Sequence, residues 1–73
     1  MQDQIAKLLH ARPFRSFAIE VDSDLTYSIP TEEHALLAPS VIVIEDDSGS
    51  VDILPYSAIR RLRVLQEKWN ELN

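Results

Sequence analysis

From Ser16 onward the apolar residues of this 73-residue chain fall on alternate positions, and prolines and turn residues cut that alternation into short lengths. Phe17, Ile19 and Val21 share one face of an extended segment while Ala18, Glu20 and Asp22 share the other, the period of a half-buried strand and not of a helix. Ser23 and Asp24 supply turn chemistry, and Leu25, Tyr27 and Ile29 resume the alternation as far as Pro30, so a hairpin is expected. Val41, Ile42, Val43 and Ile44 are apolar on consecutive positions, which predicts a strand covered on both faces, as at a sheet centre or inside a barrel. Asp46, Asp47, Ser48, Gly49 and Ser50 make the next turn, with Gly49 placed for a positive φ. Val51 and Ile53 continue as a fourth strand, stopped by Pro55.

Ahead of the strands, Asp3 is placed to cap a helix over Gln4 to Ala11, in which Ile5, Leu8 and Leu9 form one buried stripe. Pro13 ends it, because the residue before a proline avoids the helical region. Between Pro30 and Pro39 two readings stand level: Thr31 caps one helical turn, with Glu32 and Glu33 complementing its dipole, or the segment is a bent loop. The C-terminal stretch also admits two. In one, Ser57 caps a long helix with Ala58, Leu62, Leu65, Trp69 and Leu72 at heptad spacing. In the other, Tyr56 to Ile59 is a tight turn, Arg60 to Leu65 is a fifth strand with Leu62 and Val64 inward, and a short helical tail follows.

The expected fold is therefore α+β and mostly β: one small domain over residues 1–73, with a helix in 1–12, an antiparallel sheet of four or five strands over 16–65, curled into an SH3-like or Sm-like small barrel, and a tail over 66–73. Its core should hold Phe14, Phe17, Ile19, Val21, Leu25, Tyr27, Ile29, Ile42, Ile44, Ile53, Ile59 and Leu62 together with Ile5, Leu8 and Leu9.

Charge is distributed unevenly along this plan. Glu20, Asp22, Asp24, Glu32, Glu33, Glu45, Asp46, Asp47 and Asp52 all lie between Ser16 and Ile59, where there is no lysine or arginine, so an acidic sheet is flanked by basic ends. A formal net charge of −5 holds the molecule off phosphate backbones at long range and favours self-complementary packing over non-specific nucleic-acid binding. A chain of this length buries only roughly 60% of its unfolded surface, and it has no cysteine for a disulfide, so support from a homo-oligomeric partner is expected. The lack of cysteine fits a reducing compartment, no apolar run is long enough to span a bilayer, and Met1 to Leu9 has no signal-peptide pattern; the expected location is cytoplasmic, without membrane association.

Catalytic equipment is sparse. A single glycine argues against a phosphate-cradling loop and so against a nucleotide cofactor. His10 falls at the helix end, where a cation complements the dipole, and His34 beside Glu32 and Glu33 lacks tetrahedral ligand spacing. The turns Asp22-Ser23-Asp24 and Asp46-Asp47-Ser48-Gly49 lack the alternating ligands and closing glutamate of a calcium loop. No catalytic, metal or cofactor residue is assigned, and a non-enzymatic role is expected. Arg60, Arg61 and Arg63, followed by Lys68, form the dense basic cluster. They would either contact phosphates, with Tyr56 or Trp69 stacking a base, or solvate a face and pair with the Asp46, Asp47 and Asp52 region of this or another subunit. Trp69, in line with Leu65 and Leu72, is an anchor for an interface. The candidate interaction surface is thus Arg60, Arg61, Arg63, Trp69, Asp46 and Asp47.

Arg12-Pro13-Phe14-Arg15-Ser16-Phe17 resembles a segment of short bacterial proteins in which a helix leads into Arg-Pro-Phe-x-Pro-Phe, then two strands, a Pro-Glu region and a further strand pair. Ile29-Pro30-Thr31-Glu32-Glu33 stands near the Pro-Glu region, while Ser16 replaces the usual proline and Ser23-Asp24 the usual Asp-Gly turn. The resemblance covers most of the chain and implies a fold without implying an activity. More distantly, Val51 to Val64 is similar to the closing segment of Sm-like proteins, where a strand runs into a short turn ending Ala-Ile, matched by Ala58-Ile59, and then a last strand. That likeness favours the fifth-strand reading of the C-terminus. The Lys-His pair that such proteins use for RNA falls on Tyr56 and Ser57, and the glycine usual in their second strand is missing, so the likeness implies the barrel and not the RNA site. The leading expectation is a self-associating, protein-binding module, and the alternative is an Sm-like ring that binds single-stranded RNA through the arginines.

Overall fold

Residues 1–22 and 24–65 are described by the computed structural model. One helix, α1 (Gln2–Leu9), precedes six strands: β1 (Phe17–Asp22), β2 (Leu25–Ile29), β3 (Ala35–Leu37), β4 (Val41–Glu45), β5 (Val51–Pro55) and β6 (Arg61–Val64). They form two three-stranded antiparallel sheets, in the orders β2-β1-β6 and β3-β4-β5. The protein is thus mostly β with a leading helix. The two ladders are not joined among the described residues, so the hydrogen-bonded sheet does not close into a barrel. Three strands per sheet and two sheets replace the expected single sheet of four or five.

The period-two segments form strands as expected. Phe17 lies opposite Ile29 and Val64, and Ile19 opposite Tyr27 and Leu62, so the apolar row of β1 continues into both neighbours. Ile42 lies between Leu37 and Leu54, and Ile44 between Ala35 and Asp52, forming the facing row on the second sheet. Ile5 and Leu9 of α1, Phe17, Ile19, Ile29, Ala35, Ile42, Ile44 and Ile59 make one continuous core, with Leu8, Phe14, Tyr27, Leu37, Leu54, Tyr56 and Leu62 packed against it. The Phe14 and Phe17 rings meet tilted, with centroids 6.2 Å apart, where the chain leaves the helix and enters β1.

Several boundaries differ from expectation. The helix begins earlier, with Met1 as its N-cap, so that Asp3 lies inside the first turn near the positive end of the dipole instead of capping it. It ends at Leu9, with His10 as C-cap, two residues short of Ala11. After Pro30, Thr31 does cap a 3-10 turn over Glu32–His34, its hydroxyl accepting from the Glu33 N–H at 3.3 Å. The chain then adds β3, a strand that weak alternation in Ala35–Leu37 had hidden. Tyr56–Ala58 is a second 3-10 turn and β6 follows it, which excludes a continuous helix from Ser57. The expected helical tail over 66–73, Trp69 included, lies outside the described residues.

Three expected core residues are displaced. The β1–β2 register slips between Glu20 and Asp22, leaving Val21 as a bulge without a cross-strand partner. An extra residue breaks the alternation, so Val21 is only half-buried and Leu25 is 41% exposed. Ile53 lies opposite Val43 on the outer side of β5 and is 63% exposed, while Leu54 takes the inward position. Val41 and Val43, expected to be covered like Ile42 and Ile44, are only half-buried.

Candidate interaction surface

The arginines of β6 are positioned by its pairing with β1. Arg61 lies directly opposite Glu20, and Arg63 is two residues further along the same face. The Arg61 guanidinium donates from Nε to Oε1 at 3.0 Å and from Nη2 to Oε2 at 3.2 Å, a fork that matches the carboxylate plane. Arg63 donates from Nη1 to Oε2 at 3.3 Å. Glu20 is held below the usual carboxylate range, first by the hydrogen bonds from Arg61 and then by the charges of both arginines, against an opposing contribution from partial burial. Arg60 is exposed and its backbone N–H donates to the Glu20 carbonyl at 2.8 Å. The pairing expected with Asp46, Asp47 and Asp52 is therefore not made within the molecule: two of the three arginines share one glutamate on the adjacent strand.

Asp46 and Asp47 do separate work in the β4–β5 turn. The Asp46 carboxylate accepts from the Ser48 N–H at 2.9 Å, the Ser48 hydroxyl at 2.7 Å and the Ser50 N–H at 3.0 Å, while Gly49 takes φ +92°. The Ser48 hydroxyl leads the causes that depress the Asp46 carboxyl below its ordinary value. Asp47 reaches across to His34, whose Nε2 stands 2.9 Å from Oδ1 while Nδ1 stands 2.8 Å from the Thr31 hydroxyl. Thr31, His34 and Asp47 tie the 3-10 turn before β3 to the β4–β5 turn. The Thr31 oxygen is also the cap of that 3-10 turn, and Asp47 is 91% exposed, so the trio serves as a bracket between turns. Both ring nitrogens of His34 are thus engaged by Thr31 and Asp47, and among the described residues no group of His, Cys, Asp and Glu is arranged to hold a metal ion. Burial pushes the Tyr27 hydroxyl above its ordinary value, and the nearby Asp52 carboxylate adds to the shift.

The most unusual surface is one that alternation alone did not reveal. Leu36, Val43 and Ile53 are aligned across β3, β4 and β5 as direct cross-strand neighbours on the side away from the core. Leu36 is 68% exposed and Ile53 63%. The next row outward on β4 and β5 pairs Glu45 with Val51, and the opposite row pairs Val41 with Pro55. An eight-residue helix cannot cover both faces of a sheet, and α1 lies over the inner side, where Ile5 and Leu9 join the core. The signal available in the sequence was the surplus of apolar residues in Val41–Ile44 and Val51–Leu54 over what so short a helix can bury.

A second apolar surface lies between α1 and β6, lined by Met1, Gln4, Lys7, Leu8, Leu62 and Val64 with Arg60 and Arg61. Val64 points to the same side as Phe17 yet is 43% exposed, because β6 has no strand beyond it among the described residues. No helix of the described residues is long and apolar enough to cross a membrane.

Fold and surface together define a small antiparallel β domain with one leading helix and, among the described residues, two exposed apolar surfaces. Comparison of the chain with protein-family models, with curated proteins and with solved structures finds no match.

Proposed function

We propose that the protein is a small, non-enzymatic interaction module that works in the cytoplasm through self-association and protein binding. The observation that carries this reading is the Leu36–Val43–Ile53 row, an apolar strip on the outer face of the β3–β4–β5 sheet in which Leu36 and Ile53 are mostly exposed and Val43 is half-buried. Contiguous apolar surface on a small domain costs solubility and is retained where a partner covers it. The order of elements is the plan of a small domain of the SH3 or Sm type, with its two ladders separate among the described residues: a helix, a hairpin, a second strand group, and a last strand returning to β1 after a 3-10 turn. The rival reading, a ring that binds single-stranded RNA through Arg60, Arg61 and Arg63, is weakened by Glu20, whose carboxylate engages two of those three arginines.

Sedimentation velocity over a wide concentration range tests the proposal. The wild type is expected to associate and Ile53→Asp to be monomeric with an unchanged fold; a wild type that stays monomeric throughout refutes self-association. Titration with labelled oligo-U at low salt decides the rival, for which tight, steeply salt-dependent binding is required.

A further inference from the structure

The two apolar surfaces exposed among the described residues differ in charge. Around Leu36, Val43 and Val51 the carboxylates of Glu33 and Glu45 line the surface together with His34, and on the helix side of Leu36 lie His10 and Arg12, the latter paired with Glu32 at 2.9 Å. The α1–β6 groove is lined by Leu8, Leu62 and Val64, and its charged side chains among the described residues are Lys7 and Arg60, together with Arg61, whose guanidinium is already paired with Glu20. One surface is thus apolar with an acidic margin and the other apolar with a basic margin.

We propose that the β3–β4–β5 face of one copy docks the α1–β6 groove of a second, so that the chain associates head to tail. The inference rests on the interaction-module reading and names its partner. A face-to-face dimer would bring Glu45 of each copy toward the other across an apolar contact, and a groove-to-groove dimer would do the same with Lys7 and Arg60. Like charges brought together and partly desolvated oppose association, whereas the mixed arrangement sets carboxylates against ammonium and guanidinium groups. The two surfaces share no residue and belong to different sheets, so one molecule can offer both at once. A contact between two different surfaces of the same chain does not exhaust itself in a dimer: it continues into a closed ring, or into an open filament if the rotation fails to close.

Complementation between two crippled chains provides the test. A face variant carries Leu36→Asp and Ile53→Asp; a groove variant carries Lys7→Glu and Arg60→Glu. All four positions are exposed, so native folds are expected, checked by amide dispersion in NMR spectra. Each variant alone should be monomeric by native mass spectrometry. An equimolar mixture should form a heterodimer and nothing larger, because it retains one intact face and one intact groove. As a second arm, Glu45→Lys combined with Arg60→Glu in a single chain should restore association that either substitution alone weakens.

A groove variant that self-associates like the wild type would overturn head-to-tail docking while leaving the interaction-module reading in place. Head-to-tail docking fails equally if both variants are folded and monomeric but do not pair when mixed. A monomeric wild type would remove both proposals together.

Discussion

Glu20 and Arg61 face one another across the β1–β6 ladder, and the carboxylate takes both hydrogen bonds of the guanidinium fork at 3.0 and 3.2 Å. Among the described residues β6 is an edge strand of four residues, so this contact fastens the last described strand to the rest of the sheet. Glu20→Gln should lower the thermal midpoint by no more than a few degrees, because both arginine side chains are largely exposed and surface pairs are weak. Its clearer effect should be local: hydrogen exchange at Arg61 and Arg63 is expected to accelerate more than at Ile42 or Ile44. Uniform acceleration across both sheets would show that the pair does not act on β6.

Exposure predicts opposite outcomes for two apolar substitutions. Phe17 is fully buried at the junction of helix and sheet, and Phe→Ala in a core costs roughly 3–5 kcal/mol. A chain of this length is stabilised by only about 4–11 kcal/mol in total, so Phe17→Ala should remove roughly a quarter of that stability or more and lower the urea midpoint accordingly. Ile53→Asp, at a position 63% exposed, should shift denaturant stability of the monomer by about 1 kcal/mol or less, through lost strand propensity and the Val43 cross-strand pair. Urea titrations of both variants, followed by far-ultraviolet circular dichroism, check the contrast.

Stability should fall at both ends of the pH scale for separable reasons. Glu20 and Asp46 are depressed in the fold by Arg61 and by the Ser48 hydroxyl respectively, so their stabilisation is present above the ordinary carboxylate range and is lost as acid protonates them. Tyr27 and Tyr56 are raised by burial, so the fold favours the neutral phenol and loses that advantage as pH climbs past the ordinary tyrosine range. Thermal midpoints measured against pH should show a shallower acid limb in Glu20→Gln and a shallower alkaline limb in Tyr27→Phe. An acid limb identical to that of the wild type would rule out Glu20 as a contributor.

Gly49 is the residue whose backbone a side chain would strain. Its φ of +92° is unfavourable for an L-residue, although nothing lies within 4 Å of the position a Cβ would occupy. Gly49→Ala should therefore cost about 1 kcal/mol through backbone strain alone, read as a lower urea midpoint with an unchanged m-value.

Much of this architecture was legible in the order of residues. The period-two rows of Phe17 and Ile19, of Tyr27 and Ile29, and of Ile42 and Ile44 became the facing layers of the core. The Asp46–Ser50 turn, with Gly49 at positive φ, also followed from local chemistry, because a turn is decided within a few residues, whereas the Thr31 cap was one of two level readings that the 3-10 turn decided. The arginine partner was not legible: Asp46, Asp47 and Asp52 were the expected acids, and register put Glu20 opposite Arg61 instead. Nor was the bulge at Val21, which leaves Leu25 opposite Asp22 at the end of the ladder and 41% exposed, because Val21 is skipped in the pairing.

The sequence by itself determined that the chain would form a small helix-led antiparallel β domain, because side-chain periodicity and proline placement fix strand positions locally. Only the tertiary structure decided which side of β3–β4–β5 would be covered. Both faces of those strands are apolar, and a strand's own pattern cannot say whether a layer lies above it; that depends on where the single helix packs, and α1 packs on the inner side. Leu36, Val43 and Ile53 are left facing outward for that reason, and the surface available to a partner follows from it.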